Sequence, residues 1–225
     1  MKASLGSLLA VASAVSAGGL PSLDAPACSV GKGTVQYNKS VPNQTDFPLT
    51  QVDVCYDDTS IHLTFTAFDE TNYYFNESQT TNDPIWQYEV MEAFIYHGTN
   101  DPKTYLEFEV SPNNVTFQAW IYNPSKVRAA SAPLDTSYLT QPLVDGMTAE
   151  TTLCKEAKTW TSSATIPLGL FNVDIGEAKS TAWRMNFFRT VVSPDTFPDQ
   201  FLGAWNPTNE SNFHMTPFFG NVNFI

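Results

Sequence analysis

Between residues 86 and 122 the chain alternates apolar and polar side chains with a period of two. In Tyr105–Val110, Leu106, Phe108 and Val110 share one face while Tyr105, Glu107 and Glu109 share the other, because successive strand side chains point to opposite sides. Val115, Phe117, Ala119 and Ile121 repeat the pattern and leave Gln118, Trp120 and Tyr122 outside. Earlier, Val90, Glu92, Phe94 and Tyr96 fall on one face and Met91, Ala93 and Ile95 on the other. Both faces of that run carry apolar residues, which predicts a strand central in a sheet.

The same reading extends outward. Thr34–Val41 predicts a strand stopped by Pro42, and residues 51–68 a hairpin turning at Tyr56–Ser60. Residues 147–153 and 158–166 predict a second hairpin, with Trp160, Ala164 and Ile166 on one side. Ala182–Thr190 is a strong strand with Trp183, Met185 and Phe187 facing one way, and Gly220–Ile225 closes the pattern. Residues 69–87, 124–146 and 191–218 are irregular, the second with one short strand, and Pro167–Phe171 makes a turn of helix at most. No stretch has a helical period. Ten or so short strands parted by Pro and Asn turns predict an all-β protein: a two-sheet antiparallel β-sandwich, jelly-roll-like, in one domain over residues 33–225. Residues 18–32, rich in Gly, Pro and Ser, read as an extended arm.

Residues 1–17 read as a signal peptide: Lys2, then an apolar run from Leu5 to Val15, then Val15-Ser16-Ala17. No run reaches the ~20 apolar residues of a membrane helix. A secreted, extracellular, monomeric protein is expected. Against 11 Lys and Arg stand 23 Asp and Glu, for a net charge of −12, which repels phosphate backbones and anionic membranes and argues against both as partners. Asn-x-Ser/Thr sequons at Asn38, Asn43, Asn76, Asn114 and Asn209 predict glycosylated loops. Of three cysteines, the expected pair is Cys28–Cys55, with Cys154 a buried thiol; Cys55–Cys154 is the alternative.

Little here points to catalysis. No Gly-x-Ser-x-Gly elbow exists, and His62, His97 and His214 lack the paired spacing of a zinc site. No metal site is expected. His214-Met215 is a conceivable haem pair, but a loop His beside a packing Met is the simpler reading. Glu107 and Glu109 on one strand face stand about 6.5–7 Å apart, within the range that glycosidases use. Acids on an exposed strand face serve more often as hydrogen-bonding groups, here toward sugar hydroxyls or toward Arg184 and Arg189. Trp160 and Trp183 read as core and Trp120 is ambiguous. Trp86 and Trp205 lie in loops beside Pro, Asn and Asp, where a flat apolar ring suits the C–H face of a sugar.

The order of motifs resembles carbohydrate-binding module family 9 and the DOMON-related sandwiches of secreted fungal proteins. It runs through Asp57-Asp58-x-x-Ile61-His62-Leu63, Trp86-x5-Glu92-Ala93-Phe94-Ile95, Tyr105–Val110, Ala164–Leu168, Trp183–Arg189 and Ala204–Thr208, with Phe213-His214 and Phe219-Gly220. The resemblance implies a sandwich that holds the end of a sugar chain between two Trp rings, with calcium bound structurally in some members. On that basis Trp86 is the first ring, Trp205 the second, Glu92, Glu107 and Asn206 orient hydroxyls, and Arg189 stands in for a basic contact. No cofactor is otherwise implied; Asp57, Asp58 and Asp69 offer oxygen ligands for a structural calcium, and turn formation is their simpler role.

The function expected is therefore a secreted binder of polysaccharide or oligosaccharide ends, of cellulose or xylan type, that assists carbohydrate breakdown. Three rivals stand beside it: a glycoside hydrolase using Glu107 with Glu109 or Glu92, a DOMON-type haem domain, and a cell-surface or effector sandwich without a sugar site.

Overall fold

The computed structural model describes residues 19–129, 132–140 and 147–225, so the signal-peptide expectation lies outside the described residues. Two sheets face one another. One runs β1 (Ser22–Ala25), β13 (Gly220–Phe224), β11 (Ala182–Val191), β5 (Val90–His97), β6 (Thr104–Val110), β7 (Thr116–Tyr122), β8 (Asp135–Tyr138), with β12 (Phe201–Ala204) also pairing β11. The other runs β2 (Gly33–Lys39), β3 (Asp46–Tyr56), β4 (Ser60–Ala67), β10 (Thr159–Pro167), β9 (Thr148–Cys154). Every strand pair is antiparallel except β1 with β13. Short 3-10 turns cover Ile85–Gln87, Leu168–Phe171 and Thr216–Phe218, and no α-helix occurs among the described residues. The β-sandwich expected from the alternation is the fold observed.

The space between the sheets is filled by one alternating face of each. Val52, Leu63, Phe65, Met91, Phe108 and Phe187 meet there, with Trp160 and Trp183 buried as expected. Burying a side chain of this kind contributes roughly 1.5–3 kcal/mol. The larger sheet has a second apolar layer on its outer face, where Val90, Phe94, Tyr105, Phe117, Ile121 and Phe188 pack beneath loops carrying Ile85, Phe213 and Phe219. That layer reverses the expectation for β7. Glu107 pairs with Ala119 and Glu109 with Phe117, and residues directly opposite on paired strands point the same way. Phe117, Ala119 and Ile121 therefore share the outer side with the glutamates, and Trp120 turns inward onto the Phe171 ring at 5.5 Å.

Three other expectations change. The N-terminal arm contains β1, whose Ser22–Ala25 run pairs in register with Asn221–Phe224. The Val191–Phe218 loop contains β12. The Cys28–Cys55 disulfide is formed, but Cys154 is an exposed thiol, because its parity along β9 places it on the solvent side. Of the sequon asparagines, Asn38, Asn43, Asn114 and Asn209 are exposed and Asn76 is half-buried. Asn114 sits at a loop tip with φ 64° and donates from its side-chain amide to the Ala149 carbonyl.

Candidate functional site

A pocket of about 480 Å³ opens on the outer face of the larger sheet. Its floor is set by strand register. Glu92 on β5 lies directly opposite Glu109 on β6, and Glu107 stands two residues further along β6 on the same side. The result is three carboxyl groups, one oxygen from each lying within 4.8 Å of the others, all three side chains buried. Like charges placed opposite one another on paired strands repel, and burial adds a desolvation cost. Burial pushes the Glu107 carboxyl up to about 7, with the adjoining Glu109 carboxyl and then the Arg128 guanidinium acting the other way. Burial, reinforced by the neighbouring glutamates, holds Glu92 and Glu109 well above the ordinary carboxyl range. Beside the Glu109 oxygens stands only another acid, Glu107, with no donor N–H or hydroxyl.

The walls come from loops pinned to the sheet. Trp86 sits on the 3-10 turn Ile85–Gln87, anchored below by buried Ile85 and in front by Asn82. Asn82 accepts from the Gln118 backbone N–H through Oδ1 at 2.8 Å and donates to the Leu139 carbonyl through Nδ2 at 3.0 Å. The Trp86 ring meets Phe117 edge-on at 5.2 Å, and Tyr138 on β8 meets the same Phe117 edge-on at 5.6 Å. Trp86 is 40% exposed and Tyr138 49%, so two aromatic rings flank a buried one and remain open to solvent. Arg128 is fixed opposite by the bridge between Val127 and Met215 and by the Asn212 side chain, which donates to the Arg128 carbonyl at 2.9 Å. His214 also lines the pocket; its Nδ1 is 2.6 Å from the Tyr105 hydroxyl, and burial holds its pKa down to about 3, so it stays neutral.

The structure thus brings Trp86, Glu92 and Glu107 into one pocket and sends the other three expected contacts elsewhere. Trp205 leaves β12 on the side that faces the opposing sheet. Its ring lies 5.6 Å from Phe187 in the inter-sheet core and closes over Gly220, where an added Cβ would meet the indole at 2.5 Å. Trp86 stands on the other face of the same sheet, so the two indoles do not form a clamp. Arg189 also points inward, because it shares the parity of Phe187 along β11. It is 1% exposed, pairs with Glu70 at 2.8 Å and donates to the Phe68 carbonyl at 3.1 Å. Asn206 joins two loops, its side chain donating to the Phe218 carbonyl at 2.8 Å while its backbone N–H donates to Asn186 Oδ1 at 3.1 Å. Nor do the glutamates pair with arginines as anticipated: Arg184 binds Asp101 at 3.0 Å.

Sequence reasoning missed Tyr138, Phe117 and Arg128 as pocket residues, while it weighed Glu109 only as the strand companion of Glu107. Arg128 and Tyr138 lie in the irregular 124–146 stretch, where alternation carries no signal. Among the first-noted acids, Asp57 caps its own turn by accepting from the Thr59 and Ser60 amides at 2.8 Å each, which is the simpler role anticipated for it.

No family model matches the chain. An extracellular protein of Arthroderma benhamiae is 49% identical over 223 residues, spanning 98% of this chain and 99% of that one. Among solved structures, a Bacteroides uniformis protein assigned a carbohydrate-binding role superposes with a TM-score of 0.68 at 15% identity, covering 91% of this chain and 99% of the other. A family 9 carbohydrate-binding module of Caldicellulosiruptor kristjanssonii in complex with cellotriose gives a TM-score of 0.55 at 12% identity, covering 90% and 93%. The fold is shared with these sandwiches; at such identities the likeness reaches no further.

Proposed function

Since the chain belongs to the family of the Arthroderma benhamiae extracellular protein, and its fold is that of carbohydrate-binding sandwiches, we propose that it is a secreted, non-catalytic carbohydrate-binding protein. The observation that carries this reading is the pocket in which Trp86 and Tyr138 stand open above a polar floor. Exposed rings on a wall offer flat apolar faces to pyranose C–H groups, while the floor supplies hydrogen-bonding groups for hydroxyls. Glu107, Glu92 and Arg128 are the groups we assign to orient the sugar. Walls on several sides suit the end of a chain, and glucose-based or xylose-based ends of cellulose or xylan type fit a pocket of about 480 Å³. Such a site gives Kd between ~1 mM and ~1 µM.

The test is retention of the mature protein on insoluble cellulose and xylan, together with a glycan array. Binding to a chain end, lost in Trp86→Ala, supports the reading; silence of a folded protein on every glycan overturns it. A hydrolase is the second reading, favoured by the gathering of three carboxyls with one oxygen of each within 4.8 Å of the others, since glycosidases work with a pair of such groups. Reducing-sugar release that disappears in Glu107→Gln would select it. We favour binding because the Trp86 and Tyr138 rings stand open to solvent on either side of Phe117, an arrangement that serves sugar stacking and that hydrolysis does not require.

A further inference from the structure

The floor of the pocket is an unusual place for three acids, and its unpaired charge has a chemical answer. We infer that Glu92, Glu107 and Glu109 bind a hard divalent cation, with calcium the preferred ion.

Four observations lead there. The first is geometric: one oxygen of each carboxyl lies within 4.8 Å of the other two. Three oxygens held 2.3–2.6 Å from one calcium ion lie up to about 4.0–4.5 Å from one another, so small side-chain adjustments bring the set onto calcium. Magnesium, at about 2.0–2.1 Å and near-octahedral, draws neighbouring ligands to about 3 Å from each other, a closer approach than calcium asks. The second is the state of Glu109, which is 0% exposed, aims into the cluster, and has beside its oxygens only another acid, Glu107, with no donor N–H or hydroxyl. A buried carboxyl group in that condition is unfavourable unless something serves it. The third is charge. Among the described residues, the charged groups lining the pocket are three acids and one cation, Arg128, beside neutral His214. Fully ionised, they leave two negative charges uncompensated, which a divalent ion cancels. The fourth is ligand type: oxygen donors without thiolate or free imidazole select hard ions over zinc or copper.

The sheet fixes the ligands in advance. Glu92 and Glu109 are cross-strand partners in the middle of paired strands, so their Cβ positions do not depend on a loop. The remaining coordination positions point toward the opening and are filled by water or by hydroxyls of whatever enters. This inference goes beyond the carbohydrate reading and does not require it, since the ligands are all protein groups.

The experiment uses the mature protein stripped with EDTA and titrated calorimetrically, without sugar, with Ca²⁺, Mn²⁺ and Mg²⁺, alongside thermal melts. We expect one equivalent of Ca²⁺ bound at the floor, and a Tm rise of about 5 °C at a hundred-fold excess over Kd. Glu109→Gln, which keeps the shape and removes one charge, loses that equivalent and the rise, and melts higher than the parent in EDTA. Asp57→Asn, in an exposed turn, keeps both. No heat and no Tm shift at 5 mM Ca²⁺ overturns the site. So does a Glu109→Gln protein that binds with the parent's stoichiometry and affinity, because the ion is then elsewhere. Either failure leaves the glycan array free to succeed or fail independently.

Discussion

Replacing Trp86 by alanine separates recognition from folding more cleanly than any other single change. The ring is 40% exposed, and its packing is an edge contact with Phe117 at 5.2 Å, while Ile85 below it remains buried. Losing one aromatic pair costs about 0.5–1.5 kcal/mol, which for a chain of this size lowers Tm by about 2–5 °C. A pyranose lying on the indole covers about 80–100 Å² of apolar surface, and at about 25 cal/mol per Å² this contributes about 2–2.5 kcal/mol. Affinity should therefore fall about 30–70-fold, measured by calorimetry on a soluble oligosaccharide that the parent binds. Trp205→Ala gives the opposite signature. That ring is half-buried, packing on Phe187 and over Gly220 at the margin of the inter-sheet core, so its loss costs about 2–3 kcal/mol of stability while sugar affinity in the folded fraction stays within twofold. A Trp86→Ala protein that binds as well as the parent, or a Trp205→Ala protein that folds normally yet no longer binds, would refute the placement of the pocket.

Three further outcomes are expected. Arg189→Met strands Glu70 without its buried partner and should destabilise by about 3–5 kcal/mol in urea titration, with partial recovery when Glu70→Gln is added. Burial, then the neighbouring Glu70, pushes the Glu89 carboxyl up to about 8. A folded-state acid raised above its unfolded value of about 4.3 binds its proton more tightly when folded, so stability falls as pH rises from about 4.3 to about 8. Glu89→Gln should flatten that part of the curve relative to the parent, and identical slopes would contradict it. Cys154 should react with a thiol reagent at one equivalent per native chain, and Cys154→Ser should leave Tm unchanged, because the side chain is exposed.

Alternation made the strands legible, since a period of two needs no knowledge of neighbours. Both faces of 90–96 read as apolar, and β5 is indeed central in its sheet. The faces of Glu92, Glu107 and Glu109 were equally readable. Their meeting was not, because it depends on which residue of β5 stands opposite which residue of β6, and register is set by long-range packing. The same gap explains β7, where a correct alternation was assigned to the wrong side. Trp205 and Arg189 were misjudged for a different reason. A loop position or a polar residue suggests exposure, yet one shift of parity relative to Phe188 turns both into the core. Arg128 and Tyr138 lie in a stretch where one short strand was expected without a position, and the bridge at Val127 and the edge pairing of β8 bring them to the pocket.

The parallel pairing of β1 with β13 bears on how the chain is made. Ser22–Ala25 leaves the ribosome early, yet its one partner strand in the sheet lies almost two hundred residues downstream, and the Tyr56 hydroxyl donates to the carbonyl of Ile225 at that same seam. During synthesis β1 must wait unpaired. The Cys28–Cys55 crosslink closes between residues that emerge close together in time and holds the waiting segment beside β3, ready for β13 to arrive. A chain denied that crosslink should still build its second sheet, and should stall with its opening strand loose and open to proteases.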